Sequence, residues 1–298
     1  MASALVRELI DCGVHFGHRT GRWNPKMAPY IFGKRNSIHI IDIRETVKGL
    51  LRAKKFLSAL VAAGHDVLVV GTKRQAREVV EKQARRVGMP FVTERWLGGT
   101  LTNFKTIRSR LARLEELERL EATGEINNFS KKMKSTIDRE RRKIARNLDG
   151  IRGMTRLPGA LVILDVAREH IAVREARKLA IPTVCLVDTD GDPDCADIVI
   201  PGNDDAMRSV ELVVRELADA IDEGKRGRTV TAEAPADQAG AESARPRRSR
   251  RPTITELAER GAGPGAPPEA DLGGAGTPLE PVGTPAPDPA APAPSPEG

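Results

Sequence analysis

Aromatic residues are scarce in this chain, nine among 298, and cysteines are scarcer, with three. Cys12, Cys185 and Cys195 are too few, and odd in number, for a disulfide framework, so the expected compartment is a reducing one. No stretch approaches the ~20 apolar residues of a membrane span, and no membrane partner is expected. The opening MASALVRELIDCGVHFGH lacks a sustained apolar core, and Glu8 and Asp11 disfavour a transit peptide; the expectation is a soluble, cytoplasmic protein. Catalytic signatures are missing too. A phosphate-binding loop needs GxxxxGK followed by Ser or Thr, and neither that pattern nor a serine nucleophile elbow, HExxH or a CxxC pair occurs. These absences argue against nucleotide hydrolysis, acyl transfer by a serine and zinc-peptidase chemistry. No cofactor and no small-molecule substrate are expected.

Aromatics vanish altogether after Gly227. The last 71 residues, Arg228 to Gly298, hold none, yet contain 14 of the 21 prolines. A segment of that composition cannot bury enough apolar surface to offset the entropy of ordering it, and it reads as a disordered Pro/Ala/Gly-rich tail over 228–298. The tail carries 7 Arg against 10 acidic residues. Removing its three negative charges from the chain's +7 leaves the first 227 residues at +10. A compact body with that excess favours a polyanion, of which nucleic acid is the commonest.

Within the body, short β-branched runs alternate with helical patterns. DVLVVGT (Asp66 to Thr72), PFVTE (Pro90 to Glu94), ALVILD (Ala160 to Asp165), PTVCLVD (Pro182 to Asp188) and DIVIP (Asp197 to Pro201) read as strands. Several are apolar without alternation, as strands buried on both faces are. Helical segments are expected over Thr46 to Ala63, Lys73 to Val87, His170 to Leu179 and Asp204 to Glu223. The pattern is that of an α/β fold, a five-stranded parallel sheet covered on both sides, over residues 46–100 and 149–227.

About sixty residues interrupt this rhythm between the second and third strands. Phe104, Ile107, Leu111 and Leu114 mark one helical face, and Met133, Ile137, Ile144 and Leu148 mark another. Gly124 can supply a left-handed cap and Ser130 can start the second helix. The expectation is an inserted antiparallel helical hairpin over 101–148, projecting about 30 Å at 1.5 Å per residue. It holds 13 Lys and Arg against 7 acidic residues. Ahead of it, WLGGTLTNF reads as an exit turn, with Gly98 and Gly99 giving backbone freedom and Thr100, Thr102 or Asn103 available as a cap.

Four features invite a chemical reading. GTKRQA places one glycine and Lys73 at an expected helix start, which suits a phosphate. DTDGDPD, Asp188 to Asp194, clusters carboxylates, yet Pro193 and Val199 stand where a calcium loop needs Gly and Glu, so it reads as a turn. Cys12, His15 and His18 can offer three zinc ligands without an evident fourth, and structural use of their side chains is the reading preferred. In HFGHRTGRWNPKMAPYIFGKRNSIHIID, four of the nine aromatics interleave with Arg19, Arg22, Lys26, Lys34 and Arg35. Flat rings stack on bases and cations meet phosphates, the chemistry of an RNA surface. An alternative use of this segment, residues 1–45, is as a clamp on the sheet with Trp23 and Phe32 turned inward. The rival to RNA binding is a phosphate- or nucleotide-binding enzyme using the carboxyl edge of the sheet, where Asp165 and Asp188 lie.

Long phrases now align: GVHFGHRTGRWNPKMAPYIFGKRNSIHIIDI, VLVVGTKRQA, GMPFVTERWLGGTLTNFKTI, RLPGALVILD, EARKLAIPTVCLVDTDGDPD and VIPGNDDA. Together they resemble the S-two family of bacterial small-subunit ribosomal proteins, over about residues 3 to 226. The resemblance implies a three-layer flavodoxin-like domain with a coiled-coil insertion and no catalytic activity. It implies a ribosome-bound protein whose partners are small-subunit rRNA and neighbouring small-subunit proteins, including the mRNA-capturing S-one protein that it helps to dock. Carried over motif by motif, the RNA-contact candidates are Arg19, Arg22, Trp23, Asn24, Lys26, Lys73 and Arg74, with Lys105 and Arg108 of the arm. The chain departs from the family pattern at Val166, where Pro is frequent, and at Asp190 and Gly191, where Asn-Cys is common before the Asp-Pro that Asp192 and Pro193 keep. The resemblance does not reach the tail, whose RPRRSRRP cluster, Arg245 to Pro252, is a further candidate for rRNA contact, since disordered basic segments can order on RNA.

Overall fold

A computed structural model describes residues 2–233 of the chain, so the tail beyond them, RPRRSRRP included, lies outside the described residues. Fifteen helices and strands follow in chain order. Helix α1 (Ala2–Asp11) leads into strands β1 (Phe16–Arg19), β2 (Ile31–Arg35) and β3 (Ile38–Ile41). Helix α2 (Ile43–Ala62) then enters the main sheet. Its strands are β4 (Val67–Val70), β5 (Phe91–Val92), β6 (Ala160–Leu164), β7 (Thr183–Val187) and β8 (Ile198–Pro201). Helix α3 (Arg77–Arg86) links β4 to β5, α6 (His170–Lys178) links β6 to β7, and α7 (Met207–Glu233) closes the body. The arm is α4 (Phe104–Ala122) and α5 (Lys131–Leu148).

All five sheet strands are parallel, in the order β5-β4-β6-β7-β8. Renumbered within the sheet this is 2-1-3-4-5, the flavodoxin-like winding, whose order reverses between β4 and β6. Alternation along each strand explains the two cores. Val67, Val69, Val162, Val184 and Leu186 point to one face, where Leu50 and Leu57 of α2, Val80 of α3 and Val213 of α7 cover them. Leu68, Val70, Leu161, Ile163, Cys185 and Val187 point to the other, under α6, Trp96 and the root of the arm at Ile107, Leu111 and Leu148. Strands buried on both faces have no polar side to show, hence their continuous apolar runs.

The arm forms as its spacing predicts. Ile107, Leu111, Leu114 and Leu117 are buried along α4, Ile137 and Leu148 along α5, and Gly124 turns between the helices at φ 74°. Ser130 caps α5 by accepting a hydrogen bond from Met133 N at 3.4 Å. Met133 itself is half exposed.

Several expectations need correction. Residues 16–41, for which no strands were expected, form a three-stranded antiparallel sheet, β1-β3-β2. Asn36 and Ser37 turn its hairpin with φ 48° and 59°, and positive values at both positions define the tight turn that suits strand twist. Phe32 is 70% exposed and Trp23 38%, so neither packs inward as a clamp. Helix α3 begins at Arg77, four residues later than expected, which takes Lys73 off a helix N-terminus. Helix α7 passes through Gly227 to Glu233, the last described residue, beyond the expected domain boundary. In the exit turn only Gly99 takes a positive φ, 89°, and the Asn103 side chain accepts from Thr106 Oγ1 without capping a backbone N–H.

Candidate nucleic-acid interface

The N-terminal sheet is stitched to the carboxyl edge of the parallel sheet. Backbone N–H groups of His18 and Asn24 donate to Thr189 Oγ1 and Thr189 O, both at 2.8 Å. Asn203 N donates to Val14 O at 2.9 Å. Gly17 lies so close that a Cβ built there would stand 2.5 Å from Thr189 Cγ2, which is why GVHFGH needs a bare backbone at this point. These contacts fix β1 and, with it, the basic residues that follow.

Exposure and ion pairing divide the nine RNA-contact candidates. Arg19, Arg22, Arg74, Lys105 and Arg108 are exposed and pair with no carboxylate among the described residues. Arg108 also donates to Met154 O at 3.0 Å, which holds its guanidinium against the arm root. Trp23 leans on His39, ring centroids 5.1 Å apart, and leaves part of its face open. Asn24 is occupied locally: its side chain accepts from Lys26 N at 3.0 Å. Lys26 binds Asp192 and Asp194 at 2.9 and 2.8 Å. Lys73 is 14% exposed and meets Asp204, Asp205 and Asp165 at 2.8, 2.6 and 3.5 Å. Burial opposes the charge on Lys73, but the hydrogen bonds to Asp204 and Asp205 outweigh it and raise its pKa above the lysine range. Lys73 is thus held as an internal counter-ion, its charge already met by Asp204 and Asp205. Phe16 on β1 and Phe32 on β2, the latter two residues before Lys34, are also exposed on the N-terminal sheet.

Around Lys73 lies the carboxyl edge. Asp165 follows β6, Asp188 and Asp190 follow β7, and Asp204 and Asp205 follow β8. His18 reaches in from β1, its Nδ1 3.1 Å from Asp188 Oδ2 and its Nε2 3.2 Å from Asp205 Oδ2. The contact with Asp188, against the cost of burial, raises the imidazole pKa to about 9. Burial raises the Asp204 carboxyl, the neighbouring Asp165 charge adds to this, and Lys73 opposes both. Cys12 lies apart, against the small cluster of Leu9, Val14 and Leu212. Among the described residues the ligand atoms that converge are those of His18, Asp188 and Asp204; Cys12, His15 and His18 do not form a set.

Glu175 of α6 has no counterpart in the sequence reading. This buried carboxylate accepts from Trp96 Nε1 (3.1 Å), Gly99 N (2.7 Å), Leu101 N (3.0 Å), Thr102 N (3.1 Å) and Thr102 Oγ1 (3.2 Å). It ties WLGGTLT to the body where the arm leaves it. Burial pushes its pKa up, but the converging donors more than reverse this and hold it below the usual glutamate range.

Comparison with known proteins agrees with the geometry. The family model described as Ribosomal protein S2 matches residues 9–224. A relative from Rhodopirellula baltica, "Small ribosomal subunit protein uS2", is 63% identical over 244 residues, covering 82% of this chain and 94% of its own. Proteins of the same description from Acidothermus cellulolyticus and Syntrophobacter fumaroxidans are 53% and 50% identical, over 76% and 80% of this chain and 83% and 87% of theirs. With the phosphate-loop patterns missing, the carboxyl edge filled by its own ions and this likeness spanning the described body, the chain belongs to the ribosomal protein S2 family.

Proposed function

We propose that this protein is a structural constituent of the small ribosomal subunit that binds small-subunit rRNA and catalyses no reaction. The observation that carries the reading is the division of its cations: Arg19, Arg22, Arg74, Lys105 and Arg108 are exposed without carboxylate partners among the described residues, whereas Lys26, itself exposed, is paired with Asp192 and Asp194, and Lys73 is held by Asp204 and Asp205. Unpaired exposed guanidinium and ammonium groups meet phosphates at little cost in broken contacts. Trp23, Phe16 and Phe32 offer faces for unstacked bases. The rival reading, a phosphate or nucleotide on the carboxyl edge, is disfavoured because five carboxylates there would repel a polyanion. Residence on the cytoplasmic ribosome and help in docking the S-one protein complete the proposal, and both rest on the family resemblance.

The test is filter binding of the full chain to small-subunit rRNA across a salt series. Affinity should fall linearly with log salt, each phosphate contact adding about 0.7 to 0.9 to the slope. Arg19→Ala and Arg22→Ala should each reduce the slope by about 1, while Lys73→Ala should leave it unchanged. No binding at low salt, with tight binding of a nucleotide instead, would overturn the proposal.

A further inference from the structure

We propose that His18, Asp188 and Asp204 form a binding site for one divalent transition-metal ion of the zinc class. One ligand atom from each lies within 4.8 Å of the others, and the three come from separate elements: β1, the end of β7 and the loop after β8. Three observations point to a cation there. The first is an imidazole nitrogen with nowhere to go. His18 Nδ1 is sealed from solvent and makes no aligned hydrogen bond, although Asp188 Oδ2 is 3.1 Å away. A sealed ring nitrogen without an aligned partner is a polar atom that a cation would satisfy.

The second observation is how the carboxylates divide their oxygens. The Asp188 side chain is 1% exposed; its Oδ1 accepts from Thr189 N at 2.5 Å and Thr189 Oγ1 at 3.1 Å, and its Oδ2 accepts no hydrogen bond among the described residues. Asp204, also buried, gives Oδ1 to Lys73 at 2.8 Å and likewise keeps Oδ2 free. Each acid is held by one oxygen and presents the other. The third is the surrounding support. Asp205 Oδ2 sits 3.2 Å from His18 Nε2, where a carboxylate orients a metal-bound imidazole. Asp190 Oδ1, 3.9 Å from His18 Nδ1, is the nearest further oxygen. With Asp165, five carboxylates surround Lys73 and His18.

The donor set selects the ion. Magnesium and calcium favour oxygen alone, whereas an imidazole with two carboxylates suits zinc. Zinc bonds of ~2.0 Å place tetrahedral ligands about 3.3 Å apart, near the observed 3.1 Å between His18 and Asp188. The ion would pin β1, and so Arg19, to the edge of the sheet, but its presence does not depend on the ribosomal reading.

The experiment is titration of chelator-stripped full-length protein with Zn²⁺ by calorimetry, with metal content after desalting read by mass spectrometry. The expected result is one equivalent retained, displaced neither by Mg²⁺ nor by Cys12→Ser. Asp188→Asn and Asp204→Asn should abolish retention, and Asp205→Asn should weaken affinity about 10- to 100-fold. Should a variant fail to fold, the wild type loaded with Co²⁺ decides: its visible spectrum should show nitrogen and oxygen ligation without a thiolate charge-transfer band. Retention below a tenth of an equivalent, exchange for Mg²⁺, a thiolate band, or full retention in folded Asp188→Asn would each overturn the proposal.

Discussion

Replacing Glu175 with glutamine should loosen the arm from the body while changing one atom. The carboxylate receives five donors, two on Oε1 from Trp96 and Gly99 and three on Oε2 from Leu101 and Thr102. An amide keeps one oxygen. Its NH₂ must face at least the two donors on Oε1, N–H against N–H, and the favourable charge on every bond is lost. Two orphaned buried donors at about 1–3 kcal/mol each give a destabilisation of roughly 2–6 kcal/mol, comparable with breaking a buried charge network. Against a typical total of about 5–15 kcal/mol that is a large fraction. Urea unfolding followed by circular dichroism measures it, and hydrogen exchange at Gly99, Leu101 and Thr102 locates it. Because the folded pKa lies below the unfolded one, the stabilisation is complete above the ordinary glutamate range and is lost as pH falls through the folded value. The wild type should therefore destabilise more steeply than the glutamine variant as pH drops below that range. A midpoint shift worth under about 1 kcal/mol, with exchange at the three amides unchanged, would refute the argument.

Three further outcomes follow from the contacts described. Gly17→Ala should cost about 1–3 kcal/mol through overlap with Thr189, and adding Thr189→Ser should recover part of it, because serine removes Cγ2 and keeps the hydroxyl that His18 N uses; melting temperatures of the three variants check this. Lys73→Met should destabilise the body by about 3–5 kcal/mol, since it strands the buried Asp204, and chemical denaturation should show it although the residue reads as an RNA ligand in the motif. Leu117→Ala, at a fully buried arm position, should cost about 2–5 kcal/mol and raise amide exchange in α4 and α5 more than in the parallel sheet.

The parallel sheet was legible because burial on both faces writes itself as VLVV, ALVIL and TVCLV, runs that few other structures explain. The arm was legible from its leucine spacing and from Gly124 and Ser130 at its turn. The N-terminal sheet was not. Its strands are four or five residues long, carry Gly17 and Gly33 and exposed arginines, shift register in both pairings, and turn on Asn-Ser, which lacks the glycine that usually signals such a hairpin. The site divided along the same line. Arg19 and Lys73 look alike as letters beside turns, and only the partners of Lys73, 92 to 132 residues away in the chain, show that its charge is already satisfied. Glu175 was invisible for that reason: its donors lie 73 to 79 residues upstream.

The position of those long-range partners explains how a sheet with a ligand-binding winding serves as a scaffold. In the flavodoxin-like order, the crevice at the reversal between β4 and β6 is where a nucleotide phosphate would enter. Here Thr72, directly after β4, donates its N–H at 3.0 Å and its hydroxyl to buried Glu169, whose carboxyl burial raises in pKa. Lys73 is drawn across to Asp204, and Gly17 and His18 close over Thr189 beside β7. Thr72, Lys73 and His18 are thus engaged within the chain, by Glu169, by Asp204 and by Thr189 with Asp188. The positive charge left over is on the outside, on β1, the turn after β4 and the arm, and the RNA contact proposed for this protein rests on those exposed cations.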